Sequence, residues 1–199
     1  MINRYGSARD AILRAGLRTF DSVGFDDATV ASICASAGAS NGSFFHFFGS
    51  KKGLAAELFL ASLRSYHAAM LAVLESAPGA ATGAAALVAA HLEWIVGQRR
   101  DAKFLFEQSR PEWLTDIRRQ QQQEIDTFRG KVAGWFDPLV ASGAMREIPV
   151  AIFISQVIGP AQIFCRAWLS GRDRRDPREH APLLAQCAIR SVVNPGELV

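Results

Sequence analysis

The segment from Thr29 to Leu54, TVASICASAGASNGSFFHFFGSKKGL, constrains this chain more than any other. Val30, Ile33, Cys34 and Ala37 recur at i, i+3, i+4 and i+7, the one-sided apolar pattern of a helix. Thr29 stands at the N-cap of that helix, and Ser40 takes the same place before a second one. Between them, Ala37-Gly38-Ala39 leaves room only for a tight turn, so the two helices form a helix-turn-helix. The second helix opens with Asn41, Gly42 and Ser43, small polar residues that can press close to a groove. Helices that read DNA do so with their N-terminal residues, and this composition suits that contact.

The remaining composition narrows the class. Hydrophobic residues make up 49% of the 199 and charged residues 21%, which describes a globular chain with ample core. Net charge is only +3, and residues 1–60 hold six Lys/Arg against five Asp/Glu. DNA affinity would therefore rest on the placement of a few charges and helix N-termini, not on a bulk basic field. Cys34, Cys165 and Cys187 are odd in number and scattered, as reduced cysteines of a cytoplasmic protein are. His46, His67, His91 and His180 show no metal-ligand spacing, so neither metal nor cofactor is expected. The first eighteen residues are broken by charges and do not read as a signal peptide. No unbroken apolar run reaches the ~18 residues of a membrane span, so no membrane partner is expected.

Periodicity predicts an all-α chain of about nine helices. The first covers Ser7 to Ser22 and ends at Val23-Gly24-Phe25; the second and third are those described above. Ser50 caps a long fourth that stops near Ser76-Ala77-Pro78-Gly79. A fifth carries Leu87, Val88, His91, Trp94 and Ile95; a sixth runs from Asp101 to Ser109; a seventh steps from Trp113 to Leu139. An eighth runs from Pro149 to about Ser170, and a charged loop, Arg172 to Glu179, leads to a ninth from His180 to Val192.

The segment resembles the DNA-binding domain of the TetR family of transcriptional regulators. Thr29, Ile33, Ala37, Gly38, Ser40, Gly42, Phe48, Ser50, Lys51 and Leu54 match that family's pattern, and Gly24 matches the glycine before it. Cys34, Phe45 and Phe47 depart from it, standing where a small Ala, a Tyr and a His are usual. The resemblance implies a three-helix head and a six-helix body, here a DNA-binding domain at 1–50 and a ligand-binding and dimerisation domain at 51–199. It implies double-stranded operator DNA, a small effector and a second copy of the chain as partners.

On this reading Thr29, Ser40, Asn41, Gly42, Ser43, Phe45, His46, Phe47 and Lys51 face DNA. Asn41 reads adenine in bidentate fashion or caps its helix. Phe45 and Phe47 meet thymine methyl groups and sugars or belong to the core. His46 donates to a phosphate or faces solvent. Lys51 clamps a phosphate with the helix N-terminus behind it, or is a solvated surface lysine like Lys52. Phe44 and Phe48, four residues apart, are assigned to the core. The family's effector cavity makes a pocket of His91, Trp94, Phe104, Gln108, Phe128, Trp135, Gln162 and Phe164 plausible, with a lipophilic or aromatic ligand. Phe153, Val157, Ala161 and Phe164, with Leu184, Cys187 and Ala188, suit a two-fold four-helix interface, or else pack inside one subunit.

The function implied is a homodimeric, ligand-responsive regulator, a repressor by family habit, released from an inverted-repeat operator by its effector. Two other readings remain: an interaction module of helix-turn-helix origin whose DNA reading has lapsed, and an all-α enzyme. The second lacks any visible nucleophile–base pair, paired acids or metal cluster, so the chain is not expected to be an enzyme.

Overall fold

The computed structural model describes residues 8–77, 79–108 and 115–197. Among the described residues there are nine α-helices and no strand: α1 (Ala8–Asp27), α2 (Val30–Ala37), α3 (Asn41–Phe48), α4 (Lys51–Leu74), α5 (Ala80–Gly97), α6 (Arg99–Lys103), α7 (Arg118–Ala141), α8 (Val150–Leu169) and α9 (Ala181–Val192). The all-α expectation holds.

Local chemistry accounts for most helix ends. Gly24 interrupts α1 with φ +79° and ψ 169°, a conformation that favours a residue without Cβ. Gly38 ends α2 in the left-handed region, and its N–H donates to the carbonyls of Ala35 and Cys34. The sixth helix is shorter than its sequence pattern suggests. It stops at Lys103 and widens into a π-helical turn, Phe104–Gln108, in which the adjacent Phe104 and Leu105 are both buried. Ser109 and Trp113, the expected end of the sixth helix and start of the seventh, lie outside the described residues.

The chain divides into two compact units. The first comprises residues 1–63 and 100–121. In it α1 crosses α4 at Gly16, where a Cβ would come within 2.6 Å of Leu54 Cδ2. Ile12, Ala15, Phe20, Ile33, Phe44 and Leu54 form the buried centre. Contacts from α6 and the turn after it fasten this stretch to its neighbours. Lys103 Nζ lies 2.7 Å from the Asp21 carboxylate, Ser62 Oγ donates to Asp101 at 2.8 Å, and Phe104 stacks on Phe20 at 5.8 Å.

The second unit comprises residues 64–99 and 122–199. There α5 packs chiefly on α8 and α9. The Trp135 indole lies so close over Gly83 that a Cβ there would overlap its ring, and its Nε1 donates to the Ala77 carbonyl at 3.2 Å. Phe136 and Phe153 stack at 4.5 Å between α7 and α8.

The expectation from unbroken runs understates two helices. Both α5 and α8 are long and apolar enough by composition to cross a membrane. Half of the α5 window is buried inside the protein, whereas little more than a quarter of the α8 window is. An apolar helix left so uncovered calls for a partner.

Candidate nucleic-acid interface

The helix-turn-helix is capped at both helix starts. Ser32 N donates to Thr29 Oγ1 at 3.1 Å while Thr29 N donates to Ser32 Oγ at 3.3 Å, a reciprocal capping box. Ser43 N donates to Ser40 Oγ at 3.1 Å, and the two serine hydroxyls lie 3.0 Å apart. Cys34 is buried, with its Sγ 3.7 Å from the Ser40 carbonyl, so the thiol bridges the turn where a smaller residue would leave it open. Phe44 and Phe48 lock α3 onto the head with rings 5.6 Å apart.

That anchoring turns the opposite side of α3 outward. Asn41, Gly42, Phe45 and His46 are exposed; 41 and 45, and likewise 42 and 46, are four apart and share a face. Phe45 is 53% exposed and Phe47 37%, so both rings lie at the surface instead of in the core that sequence reasoning left open for them. An added Cβ at Gly42 would meet nothing closer than Ser40 Oγ at 3.7 Å. Internal packing therefore does not demand glycine there.

Lys51 requires a correction. Its Nζ donates to the carbonyls of Phe25 at 2.6 Å, Asp26 at 3.1 Å and Ala28 at 2.7 Å, and sits 4.5 Å from the centre of the Phe25 ring. An ammonium has three hydrogens, and all three are engaged. Gly24 kinks α1, and the three carbonyls, all on the far side of that kink, converge on the ammonium. The ammonium expected at a phosphate is held here by the protein's own backbone. Arg9 is likewise engaged, with Glu57. Arg14, Arg18 and Lys52 are the exposed cations of this unit's first helices, Arg18 reaching Ser36 Oγ at 3.3 Å.

The expected effector residues fall in both units. Phe104 belongs to the first unit; the others whose side chains are described belong to the second. His91 is fully buried, its Nδ1 hydrogen-bonded to the Tyr66 hydroxyl at 2.8 Å, and burial holds its imidazole down to a pKa of about 4. Phe128 stacks at 4.1 Å on His67, which burial also lowers against the opposing pull of its Glu124 partner. Trp135 is held by Ala77, Gln162 is half-buried, and Phe164 is exposed with its ring against His180. The side chain of Gln108 lies outside the described residues. A groove of about 550 Å³ instead runs between α4 and α5, lined by Ala69, Val73, Ala86, Ala90, Trp94 and Gly97, with Glu93 and Gln98 at its polar edge. Trp94 alone of the expected set lines it. The spacing of 86, 90, 93 and 97 carried that groove in the sequence, on the face of α5 that the large apolar residues leave open.

The interface set is corrected too. Phe153, Val157, Ala161 and Ala188 are buried within one protomer, where they cannot meet a second copy. Leu184 is half-buried and Cys187 exposed. The apolar side chains that α8 and α9 leave open are Ile152, Ile163 and Leu183, at 48%, 64% and 61% exposure, and Phe164 of the expected stripe, at 37%.

Residues 12–58 match the family model for bacterial regulatory proteins of the tetR family. Over 46 residues the chain is 48% identical to the HTH-type transcriptional regulator BetI of Stenotrophomonas maltophilia, a match covering 23% of this chain and 24% of that protein. The fatty acid degradation regulator FadR from Bacillus halodurans superposes with a TM-score of 0.79 at 15% identity, covering 94% of this chain and 97% of that one. FadR from Bacillus subtilis in complex with stearoyl-CoA gives 0.75 at 16% identity, covering 90% and 97%. NalD, the secondary repressor of the MexAB-OprM multidrug efflux pump in Pseudomonas aeruginosa, gives 0.72 at 20%, covering 94% and 96%.

Residues 12–58 form a tetR-family segment.

At these identities the structural likeness is one of fold, and the sequence match to the curated relative spans about a quarter of its length. What this chain binds is therefore read from its own surface. Its departures from the family pattern sit at that surface or beside it: Phe45 and Phe47 offer rings in place of polar groups on the exposed side of α3, while Cys34 is buried behind the turn.

Proposed function

We propose that this protein is a cytoplasmic, ligand-responsive transcriptional regulator, acting as a repressor, that reads an inverted-repeat operator as a homodimer. The observation that carries the reading is the outward face of α3, where Asn41 and Gly42 stand on the first turn above Phe45 and His46 while Phe44 and Phe48 fix the helix from behind. Asn41 has the donor–acceptor pair to read adenine, and Gly42 lets the backbone approach a base edge. Phe45 offers a ring to a thymine methyl group. Ser43 and His46, with the capped N-termini below Thr29 and Ser40, meet phosphates.

The effector is a lipophilic molecule held at Trp94 in the groove between α4 and α5. Its volume of about 550 Å³ falls within the range of small-ligand sites, and its lining is almost wholly apolar. The regulators of similar fold named for fatty acid degradation, one of them solved with stearoyl-CoA, are in keeping with such a ligand. Effector binding favours the state in which the two heads do not fit successive major grooves together, and by linkage operator DNA weakens effector binding by the same factor.

The test is retardation of the DNA upstream of the protein's own reading frame. About 6–10 phosphate contacts predict a loss of ~10³–10⁵ in affinity between 50 and 200 mM salt. No retardation, or affinity flat in salt, overturns the reading. The open Phe45 ring favours one alternative, a protein-interaction module, and that same null result in DNA binding would support it.

A further inference from the structure

We propose that the groove between α4 and α5 selects a lipophilic cation, a small apolar molecule whose amine or amidine is protonated at neutral pH, and that Glu93 reads its charge. The inference rests on the proposed effector reading of this groove and names the chemical class of its ligand. Ala69, Val73, Ala86 and Ala90 give the groove small apolar walls, which leave room for a hydrocarbon body within about 550 Å³. Trp94 Nε1 donates to Ser65 Oγ at 3.1 Å, so Trp94 spends its polar handle inside the protein and brings the groove a ring. Indole rings attract a positive group at their face.

The charge of the ligand follows from one end of the groove. Glu93, Trp94, Gly97 and Gln98 belong to the last turns of α5 and its cap. The last turn of a helix carries partial negative charge on its carbonyls, and α5 has no basic residue there to offset it. Among the described residues that line the groove, Glu93 alone is charged, and it adds a full negative charge at the same end. Arg178, from the turn before α9, reaches Glu93 Oε2 at 3.2 Å, but it also holds both carboxylate oxygens of Asp176. Two carboxylates thus share one guanidinium, and one negative charge is left over. The other oxygen of Glu93, Oε1, accepts from no described residue and is open to a ligand. Arg99, the next cation along the chain, is committed elsewhere. Its guanidinium lies 5.2 Å from the centre of the Trp168 ring and donates to the Leu169 carbonyl at 3.3 Å. An ammonium placed at this end meets opposite charge, whereas a carboxylate head there meets like charge and is rejected.

Three probes of equal chain length separate charge from hydrocarbon: decylammonium, decanol and decanoate. Each is titrated into the full-length protein by calorimetry, with the unfolding temperature as a second readout. Decylammonium should bind about five-fold more tightly than decanol, the scale of a solvent-exposed ion pair at a helix end, and decanoate more weakly than either. Added salt should narrow the spread. Glu93→Gln should remove most of the preference for the ammonium, and Glu93→Lys should put decanoate first. Ala90→Leu, which fills part of the groove, should weaken all three probes. Decanol or decanoate binding the wild type as tightly as decylammonium would overturn the cation class and leave a lipophilic effector in place. A preference undiminished in Glu93→Gln, or affinities indifferent to Ala90→Leu, would overturn this groove as the site that reads the charge. If none of the three probes binds, the groove holds no lipophilic effector, and this proposal falls with that reading.

Discussion

The Tyr66 hydroxyl and His91 Nδ1 are hydrogen-bonded at 2.8 Å between α4 and α5, and both side chains are buried. Burial pushes the Tyr66 hydroxyl well above its ordinary range and the His91 imidazole down to about 4, so the pair is neutral at physiological pH. The unfolded chain binds a proton on His91 near 6.5, and the folded chain does so only near 4. The stability held by the neutral imidazole is complete above pH 6.5 and drains as the pH falls toward 4. The interval corresponds to about 3 kcal/mol. His91→Gln keeps an amide partner for Tyr66 and removes the titrating ring. Its urea midpoint should fall less steeply between pH 6.5 and 4 than that of the wild type, and equal slopes would show that His91 takes its proton in the folded state.

Gly42→Ala sets stability against binding. The added Cβ meets no atom closer than Ser40 Oγ at 3.7 Å, and the site is helical, so the protein should gain about 0.5–1 kcal/mol. If α3 enters a groove at this residue, the same methyl group stands between backbone and base edge, and operator affinity should fall while the melting temperature rises. A rise in both would place Gly42 away from the DNA.

Gly83→Ala should do the reverse of what helix propensity suggests. Its Cβ would overlap the Trp135 ring, which cannot retreat without giving up its hydrogen bond to the Ala77 carbonyl. Overpacking of this kind costs about 1–3 kcal/mol. Chemical denaturation should register the loss, with a change in the near-ultraviolet tryptophan signal of the folded protein. A stabilised variant with an unchanged signal would mean that the indole has room to move.

The head was legible in the sequence because its determinants are local. Thr29, Ser40 and Gly38 each act within four residues of themselves, and the period of Ile33, Cys34, Phe44 and Phe48 names the buried side directly. Lys51 was not legible, because its partners are carbonyls beyond the kink at Gly24, far back in the chain. The short α6 and the turn after it escaped for a similar reason: Asp21, Ser62 and Phe20 hold them, and none is near in sequence. The aromatic residues of the body pointed to a pocket, but stacking such as Phe128 on His67 and Phe136 on Phe153 uses them as core. In α8 nearly every side chain is apolar. Periodicity then marks a helix without marking which stripe turns inward, and of the chosen stripe only Phe164 is exposed.

That difference gives the last prediction. Phe153 is fully buried and stacked on Phe136, while its neighbour Ile152 is 48% exposed; on the same helix Ala161 is buried and Ile163 is 64% exposed. A dimer built on α8 and α9 must therefore use Ile152, Ile163, Phe164 and Leu183. Ile163→Asp and Leu183→Asp place a charge on that surface, which a lone protomer tolerates in water but a closed two-fold interface does not, since each change appears on both sides of it. Sedimentation should show each variant as a folded monomer at concentrations where the wild type is a dimer. Phe153→Ala removes core packing instead and should cost about 3–5 kcal/mol of stability while the folded fraction still associates. Aspartate variants that remain dimeric would move the interface to another surface, and a Phe153→Ala protein that is stable but monomeric would return it to the stripe first read from the sequence.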